Sequence, residues 1–318
     1  MDVGRSCGLV SVIIPTFNRR EWLAETVKPV LDDPHTGEVV VVVDGCRDGS
    51  LELLQEWSRQ QPRLRAIFQE NAGDAAARQR GVEEARFDIV VVLDDDIVPS
   101  PGLIGGHARH HGQGGRHLVL GYMPVQLPEP RQPGQAAAML YSRAYEKQCR
   151  RYAEDPDSIL NTFWMGNISL SRSSALEVGF STKLSIRRHS DMVFGIRCRE
   201  AGLDAIFDRS LLALHSHNRS LKKFAADSRN SGEARAKLMK EYPEFEPYIN
   251  PFAQLPWLER MAIYVLGSSV MCPACTQLAM AGSFRAGRMR VWGVETLSAR
   301  ILQQIEIYHG FREAQRSL

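Results

Sequence analysis

An α/β architecture built around a largely parallel sheet is predicted by three observations. Apolar runs of strand length recur with helical patterns between them, as in βαβ units. These runs are continuous in Val and Ile rather than alternating, which fits strands covered on both faces. The fourth run, Ile89-Val90-Val91-Val92-Leu93, ends directly in Asp94-Asp95-Asp96. Ligands of open α/β sheets bind at the carboxyl edge, so these carboxylates point to a site there.

The elements follow in order. Val10-Ser11-Val12-Ile13-Ile14 reads as the first strand. Glu21 to Leu31 reads as a helix with Leu23, Val27, Val30 and Leu31 on one stripe, and Pro29 is expected to cut its last turn. Val39 to Val43 is the second strand, and Ser50 is read as the N-cap of a helix carrying Leu53, Leu54 and Trp57. Leu64 to Phe68 is the third strand. Asp74 is read as the cap of a helix from Ala75 to Arg86, with Ala77 and Val82 turned inward. Residues 112 to 135, rich in Gly and Pro, read as loop or extended chain. Residues 136 to 160 and 218 to 250 read as helical, each either a flap over the site or a packed helix. Ser190 is read as capping a helix in which Phe194 and Cys198 face inward.

Each strand ends in a polar loop. The first gives Pro15-Thr16-Phe17-Asn18-Arg19 and the second Asp44-Gly45-Cys46-Arg47-Asp48-Gly49-Ser50. The third leads into Asn71-Ala72-Gly73-Asp74 and then Ala77-Arg78, and the fourth is the aspartate triplet. Loops at one edge of one sheet make a pocket of carboxylates and an arginine. Asp94 and Asp96, at i and i+2 of extended chain, point to the same side and suit Mg²⁺ or Mn²⁺ with a diphosphate. His215 and His217 share a face if their segment is a strand. Trp164, Gly166 and Asn167 are read as a wall of the donor or acceptor pocket, with tryptophan covering a sugar face.

Taken together, these segments resemble family 2 glycosyltransferases. Val10 to Arg19 resembles their opening strand, and Asp44-Gly45-Cys46-Arg47-Asp48-Gly49 their D-G-S-T-D-G loop. Asn71 to Gly81 resembles their N-x-G-x-x-x-A-R-N-x-G segment, and Asp94-Asp95-Asp96 their DxD motif. Gly166 to Arg172, then Asp191, Gly195, Arg197, Gly202 and His215, continue the match in order. The resemblance implies a GT-A fold. A Rossmann-like nucleotide-sugar half at 8–111 joins an acceptor half at 112–225, with a helical extension at 226–318. It implies sugar transfer from a nucleotide-diphosphate donor, expected to be a UDP-sugar, to an acceptor hydroxyl. A divalent metal and inversion at the sugar carbon go with it. By position, Asp44 would contact the base, Arg78 the base or diphosphate, and Asp94 the ribose or a metal-bound water. Asp96 would hold the metal, His215 would add a metal or diphosphate contact, and Asp191 would be the catalytic base. Pro15, Thr16, Asn18, Arg19 and Asp95 complete the expected donor-binding set.

The chemistry asks for the same groups. A departing sugar diphosphate needs its charge neutralised, and an acceptor hydroxyl needs a base within reach. His189 is the alternative base, and otherwise is expected as a surface histidine. The chain has Val43 and Ser190 where many relatives have a further acidic residue. Those departures keep a non-catalytic sugar-nucleotide-binding protein open as an alternative, beside a retaining transferase. A dehydrogenase is disfavoured, because no G-x-G-x-x-G follows the first strand.

A chain of 318 residues with 44% hydrophobic content can bury a sizeable core, and a net charge of +2 gives no argument for nucleic acid. The cysteines, at positions 7, 46, 149, 198, 272 and 275, form no disulfide framework, and the Cys272–Cys275 pair is expected to be packing. The opening Met1 to Ser6 lacks a basic then apolar start. A cytoplasmic setting is therefore expected. Met261 to Ser283 carries no charge, and Pro273 splits it into two short helices. These helices, with Arg285, Arg288 and Arg290 beyond them, either pack on the catalytic domain or lie peripherally on the inner face of a membrane. A carbohydrate, lipid-linked or small-molecule acceptor is expected.

Overall fold

The structure is a computed structural model, and it describes residues 8–112, 114–180, 186, 188–216, 220–253, 255–267 and 272–318. Two compact units emerge. The first comprises residues 1–126, 148–182 and 191–216, and the second 127–147, 183–190 and 217–318.

The first unit holds all eight strands: β1 (Val10–Thr16), β2 (Thr36–Asp44), β3 (Leu64–Gln69), β4 (Ile89–Leu93), β5 (Ile97–Pro99), β6 (His117–Tyr122), β7 (Asn167–Ser171) and β8 (Asp204–His215). They form one sheet in the order β3-β2-β1-β4-β7-β6-β8-β5. β1 to β4 are mutually parallel, whereas β7 runs antiparallel between β4 and β6. The chain winds outward from β1 through β2 to β3, then returns to place β4 on the other side of β1. A crevice opens at such a reversal, beyond the carboxyl ends of the central strands. Val39 to Val43 and Val90 to Leu93 are wholly buried, as strands covered on both faces must be.

Helices α1 (Leu23–Asp32), α2 (Ser50–Gln60), α3 (Asp74–Glu84), α4 (Leu103–His111), α6 (Arg172–Val178) and α7 (Ser190–Glu200) also belong to this unit. Pro29 lies inside α1 rather than ending it, because Leu23, Thr26, Val27, Val30 and Leu31 hold the helix on the sheet. Ser50 and Asp74 are first residues of helices, not caps; Gly49 and Gly73 occupy the cap positions with positive φ. Of the residues expected to be inward on α2, only Leu54 is fully buried. Ala77 and Val82 of α3 do face inward, and Gly81 is set so close to β1 that a Cβ there would fall 2.2 Å from Ile13 Cγ2. Phe194 and Cys198 of α7 are buried as expected, with Phe194 stacked on Phe180 at 4.2 Å.

The expected loop at 112–135 contains β6. Its Leu118, Val119 and Leu120 are buried in the sheet, and long-range pairing with β7 and β8 overrides the glycines beside it. Between 136 and 161 lie α5 (Ala136–Glu154) and a short 3₁₀ turn. Tyr145, Cys149 and Tyr152 of α5 are buried, and the Tyr152 hydroxyl donates to Thr162 O at 2.7 Å, so α5 is packed.

The second unit is helical: α8 (Leu221–Glu241), α9 (Glu246–Ile249), α10 (Trp257–Leu266), α11 (Cys272–Arg288) and α12 (Trp292–Ser317). The α8–α12 approach is backbone to backbone. A Cβ at Gly232 would lie 1.9 Å from Ile307 O, and one at Gly310 would lie 2.0 Å from Arg229 O. Among the described residues no helix is long and apolar enough to cross a membrane.

Candidate active site

The three aspartates do not share one environment. The Asp94 amide donates to Gly166 O at 3.0 Å, fastening the end of β4 to the residue before β7. Asp95 turns toward β1, where the buried Thr16 hydroxyl donates to its Oδ2 at 2.7 Å. The segment beyond is pinned by Thr26, whose hydroxyl donates to Ile97 O at 2.6 Å. Asp96 is placed by a short ladder. β5 pairs antiparallel with the end of β8, setting Ile97 opposite His215, and Ser216 N donates to Asp96 O at 2.9 Å. Asp96 Oδ1 therefore lies 3.4 Å from His215 Nε2, while Oδ2 meets Arg19 Nη2 at 3.2 Å.

Arg78 reaches this cluster from α3. It donates to Asp74 Oδ2 at 2.8 Å and to Asp94 Oδ1 at 2.7 Å. Its burial opposes the charge, but the two carboxylates outweigh that and hold the guanidinium firmly protonated. Burial raises the Asp94 pKa; the arginine opposes this and Asp96 adds to it. Asp95 is pushed up to about 6, mainly by burial, against the Thr16 hydrogen bond. A cluster of partly buried carboxylates with raised proton affinity is suited to a cation.

Asp191 stands in the first turn of α7, where its Oδ1 accepts the Met192 amide at 2.9 Å. Burial pushes its pKa up to about 6; the Met192 amide and Arg78 oppose this, while Asp74 and Asp94 reinforce it. A carboxylate that binds a proton this well is a better general base than an ordinary surface aspartate. His189, the alternative base, is not a surface histidine. Its Nε2 is 2.7 Å from Ser231 Oγ in the second unit, and burial first, then Arg235 and Arg188, holds it neutral.

Several residues expected to touch the donor have other work. Asp44 is 3% exposed; its Oδ1 accepts Gln69 Nε2 and Ala72 N, both at 2.8 Å, and its Oδ2 accepts Gly73 N at 2.9 Å. These bonds shape the loop before α3. Pro15 is a buried strand residue opposite Val42. Asn18, at φ 53°, accepts Arg47 N at 2.9 Å and so joins the first two loops. Asn167 is 1% exposed; its Oδ1 is 2.8 Å from His107 Nε2 and its Nδ2 donates to Leu211 O at 3.0 Å. That amide is held in the core. Gly166 makes room: a Cβ there would fall 2.7 Å from Asp94 Oδ2. Trp164 is half-buried just before β7, and His217 lies outside the described residues.

His107 is a contributor that pattern reading missed. His107 bridges Ser169 and Asn167 at 2.8 Å each, and burial holds its pKa near 4. The histidine-rich run His107 to His111 on a buried helix was the available signal. Asp74, expected in the loop after the third strand and as a helix cap, also pairs with Arg78 at the i, i+4 spacing of a helix.

The residues fit a divalent ion of the hard kind. Asp96 and His215 set an oxygen and a nitrogen side by side, and Asp94 stands two residues before Asp96. No group of three or more metal-type side chains is assembled among the described residues. Mg²⁺ and Mn²⁺ commonly take one or two protein ligands and complete the shell with phosphate oxygens and water.

Comparison with known proteins follows this geometry. The model of "Glycosyl transferase family 2" matches residues 11–177, from β1 through α6. TuaG of Bacillus subtilis, a glycosyltransferase named for teichuronic acid biosynthesis, is 38% identical over 90 residues, 28% of this chain and 36% of that protein. The glycosyltransferase GlyG of Streptococcus pneumoniae is 32% identical over 98 residues, 30% of this chain and 33% of that protein. The chain spans about a third of the length of the curated relatives it matches. Among solved structures, the mannosyltransferase PcManGT of Pyrobaculum calidifontis, in complex with GDP-Man and Mn²⁺, superposes with a TM-score of 0.60 at 17% identity, covering 94% of this chain and 86% of that one. TarS of S. aureus with UDP-GlcNAc gives 0.52 at 14%, covering 92% and 90%. These likenesses establish the GT-A architecture. Because the family model spans more than half of its length, this chain belongs to glycosyl transferase family 2.

Proposed function

We propose that the chain transfers a glycosyl group from a nucleotide-diphosphate sugar to an acceptor hydroxyl, with inversion and with a divalent metal. The observation that carries this reading is the convergence of Asp94, Asp95, Asp96, Arg78, Arg19 and His215 at the crevice beside β1 and β4. Solved relatives of this fold hold GDP-Man with Mn²⁺ or UDP-GlcNAc, and a UDP-sugar is our first candidate donor. A relative from Pseudomonas savastanoi named as an undecaprenyl-phosphate transferase supports a lipid-linked acceptor, beside a growing polysaccharide or a small molecule. In this reading residues 8–111 hold the nucleotide, 112–225 complete the catalytic half, and 226–318 form the helical extension.

Asp191 would take the proton as the acceptor oxygen forms its bond to the sugar's anomeric carbon and the bond to the diphosphate breaks. Arg78 would orient Asp94 and offer its charge to the diphosphate, and Arg19 would do the same for Asp96. A bound Mg²⁺ or Mn²⁺, held by Asp96 and His215, would neutralise the charge that develops on the leaving group.

Calorimetric titration with UDP, GDP and TDP, with and without Mn²⁺, tests the donor site. Metal-dependent binding of one nucleotide by the wild type, absent in Asp96→Ala, is the expected result. Folded protein that binds none of the three would sink the proposal. A glycoside product retaining the donor's configuration would overturn inversion and the role given to Asp191.

A further inference from the structure

Twelve of the eighteen large apolar side chains that stand exposed among the described residues lie between Trp257 and Ile301. They are ordered. On α10, Trp257, Leu258, Met261, Tyr264 and Val265 follow the spacing of a single helix face. On α11, Leu278 and Phe284 are 72% and 65% exposed while Ala279, Ser283 and Ala286 are buried, and Met289, just beyond the helix, is 74% exposed. On α12, Val294, Leu297 and Ile301 are exposed, while Glu295, Ala299 and Leu302 are buried.

The three faces adjoin. A Cβ at Gly282 of α11 would lie 3.2 Å from Ser298 Oγ of α12. Arg300 of α12 pairs with Glu259 of α10 at 3.4 Å, and Tyr264 packs on Tyr308 with centroids 5.2 Å apart. The α12 stripe thus runs between α11 and α10.

The charge around this face is mostly positive, with Glu259 of α10, paired with Arg300, as an exposed acid on it. From Arg260 to Val294 the chain carries four arginines and no acidic side chain. Arg285, Arg288 and Arg290 are exposed at one end of the apolar face, with the Arg288 guanidinium 5.9 Å from the Phe284 ring centre. Apolar side chains flanked by arginine and aromatic groups suit the boundary between acyl chains and anionic headgroups. Arg285, Arg288 and Arg290, set against a Glu259 that Arg300 already pairs, make the face complementary to an anionic surface. No described helix can span a bilayer, so contact at this face is contact from one side.

We propose that the face formed by α10, α11 and α12 docks on an anionic phospholipid surface, burying its apolar side chains among the acyl chains while Arg285, Arg288 and Arg290 bind headgroup phosphates. This surface stands on the second unit alone and is independent of the glycosyl-transfer reading.

The test is co-sedimentation of the full chain with phosphatidylcholine vesicles and with vesicles containing phosphatidylglycerol, at low and high salt. The wild type is expected to bind the second kind, less so as salt rises. Replacing the three arginines together (Arg285→Gln, Arg288→Gln, Arg290→Asn) is expected to weaken binding about a hundredfold. Asparagine is chosen at 290 because φ there is 57°. Phe284→Ser with Leu297→Ser is expected to weaken binding about tenfold or more. All five positions are exposed, so circular dichroism and calorimetric nucleotide binding should match the wild type. Folded wild type that stays off anionic vesicles overturns the proposal, as does equal binding by wild type and both variants. So does a concentration-dependent dimer that both sets of substitutions dissolve and vesicles do not compete. Vesicle binding without any nucleotide binding would leave this surface standing and the transferase reading in question.

Discussion

Replacing Asp191 by asparagine should stabilise the protein at neutral pH while removing its activity. An aspartate in water loses its proton near pH 3.9, and Asp191 in the fold loses it near 6. The folded chain therefore binds that proton about a hundredfold more tightly than the unfolded chain, a difference of about 3 kcal/mol. The raised value means that stability contributed by this group is full below about pH 4 and is lost as pH rises toward 6. Above that, the fold carries a carboxylate in a place that disfavours it. Asparagine has nearly the same shape, and its Oδ1 still accepts the Met192 amide, but it cannot ionise. Asp191 keeps some contact with water, so the gain at pH 7 should be about 1–3 kcal/mol, read as a rise of roughly 2–10 °C in melting temperature. At pH 4 or below wild type and variant should converge. Activity of the variant should fall about 10²–10⁴-fold. Thermal unfolding at both pH values, with a donor turnover assay, reads all of this. Equal or lower stability of the variant at pH 7, or an advantage that persists unchanged at pH 4, would refute the reasoning.

Other perturbations follow from the same geometry. In the wild type, kcat/KM should rise with pH and level off above about 6, as the Asp191 carboxylate forms; a flat profile from pH 5 to 8 would count against the base assignment. Gly166→Ala should lower nucleotide affinity or turnover at least about tenfold, because its methyl would push on Asp94 Oδ2 at a backbone angle of φ 138°; unchanged kinetics would show that Asp94 can move freely. His107→Leu leaves the Asn167 carbonyl without its donor in the core and should cost about 2–3 kcal/mol in denaturant unfolding. Gly310→Ala should destabilise the second unit by about 1–3 kcal/mol or more, since the obstructing atom is the Arg229 carbonyl; a neutral effect would mean that α8 and α12 separate easily.

The sheet core was legible because its signal is local. Val39 to Val43 and Ile89 to Leu93 are runs whose only comfortable place is a strand covered on both sides. Arg78 was expected beside the aspartates because the segment Asn71 to Gly81 resembles a family motif, and its guanidinium does meet Asp94. What escaped reading depends on pairing between distant segments. β6 hides beside glycines and is a strand only because β7 and β8 flank it. The meeting of Asp96 and His215 needs the three-residue β5 to find the end of β8, more than a hundred residues later. The bonds of Asp44 to the amides of Ala72 and Gly73 escaped because backbone donors have no side-chain signature. Pro29 misled because propensity is a weak term beside the burial of Val27 and Val30.

The ties among the loops at the sheet edge have a consequence for any ligand that arrives there. Asn18 and Cys46 bind each other's loop, Arg20 N donates to Asp48, and Asp44 grips the approach to α3. Three loops cross-tied in this way behave as one floor, whose disorder was removed when the chain folded and not when a ligand lands. Nucleotide capture on such a floor loses little to ordering and should be fast. A substitution at Asp44 would then let the floor sag, because three of the bonds that hold it end on this carboxylate.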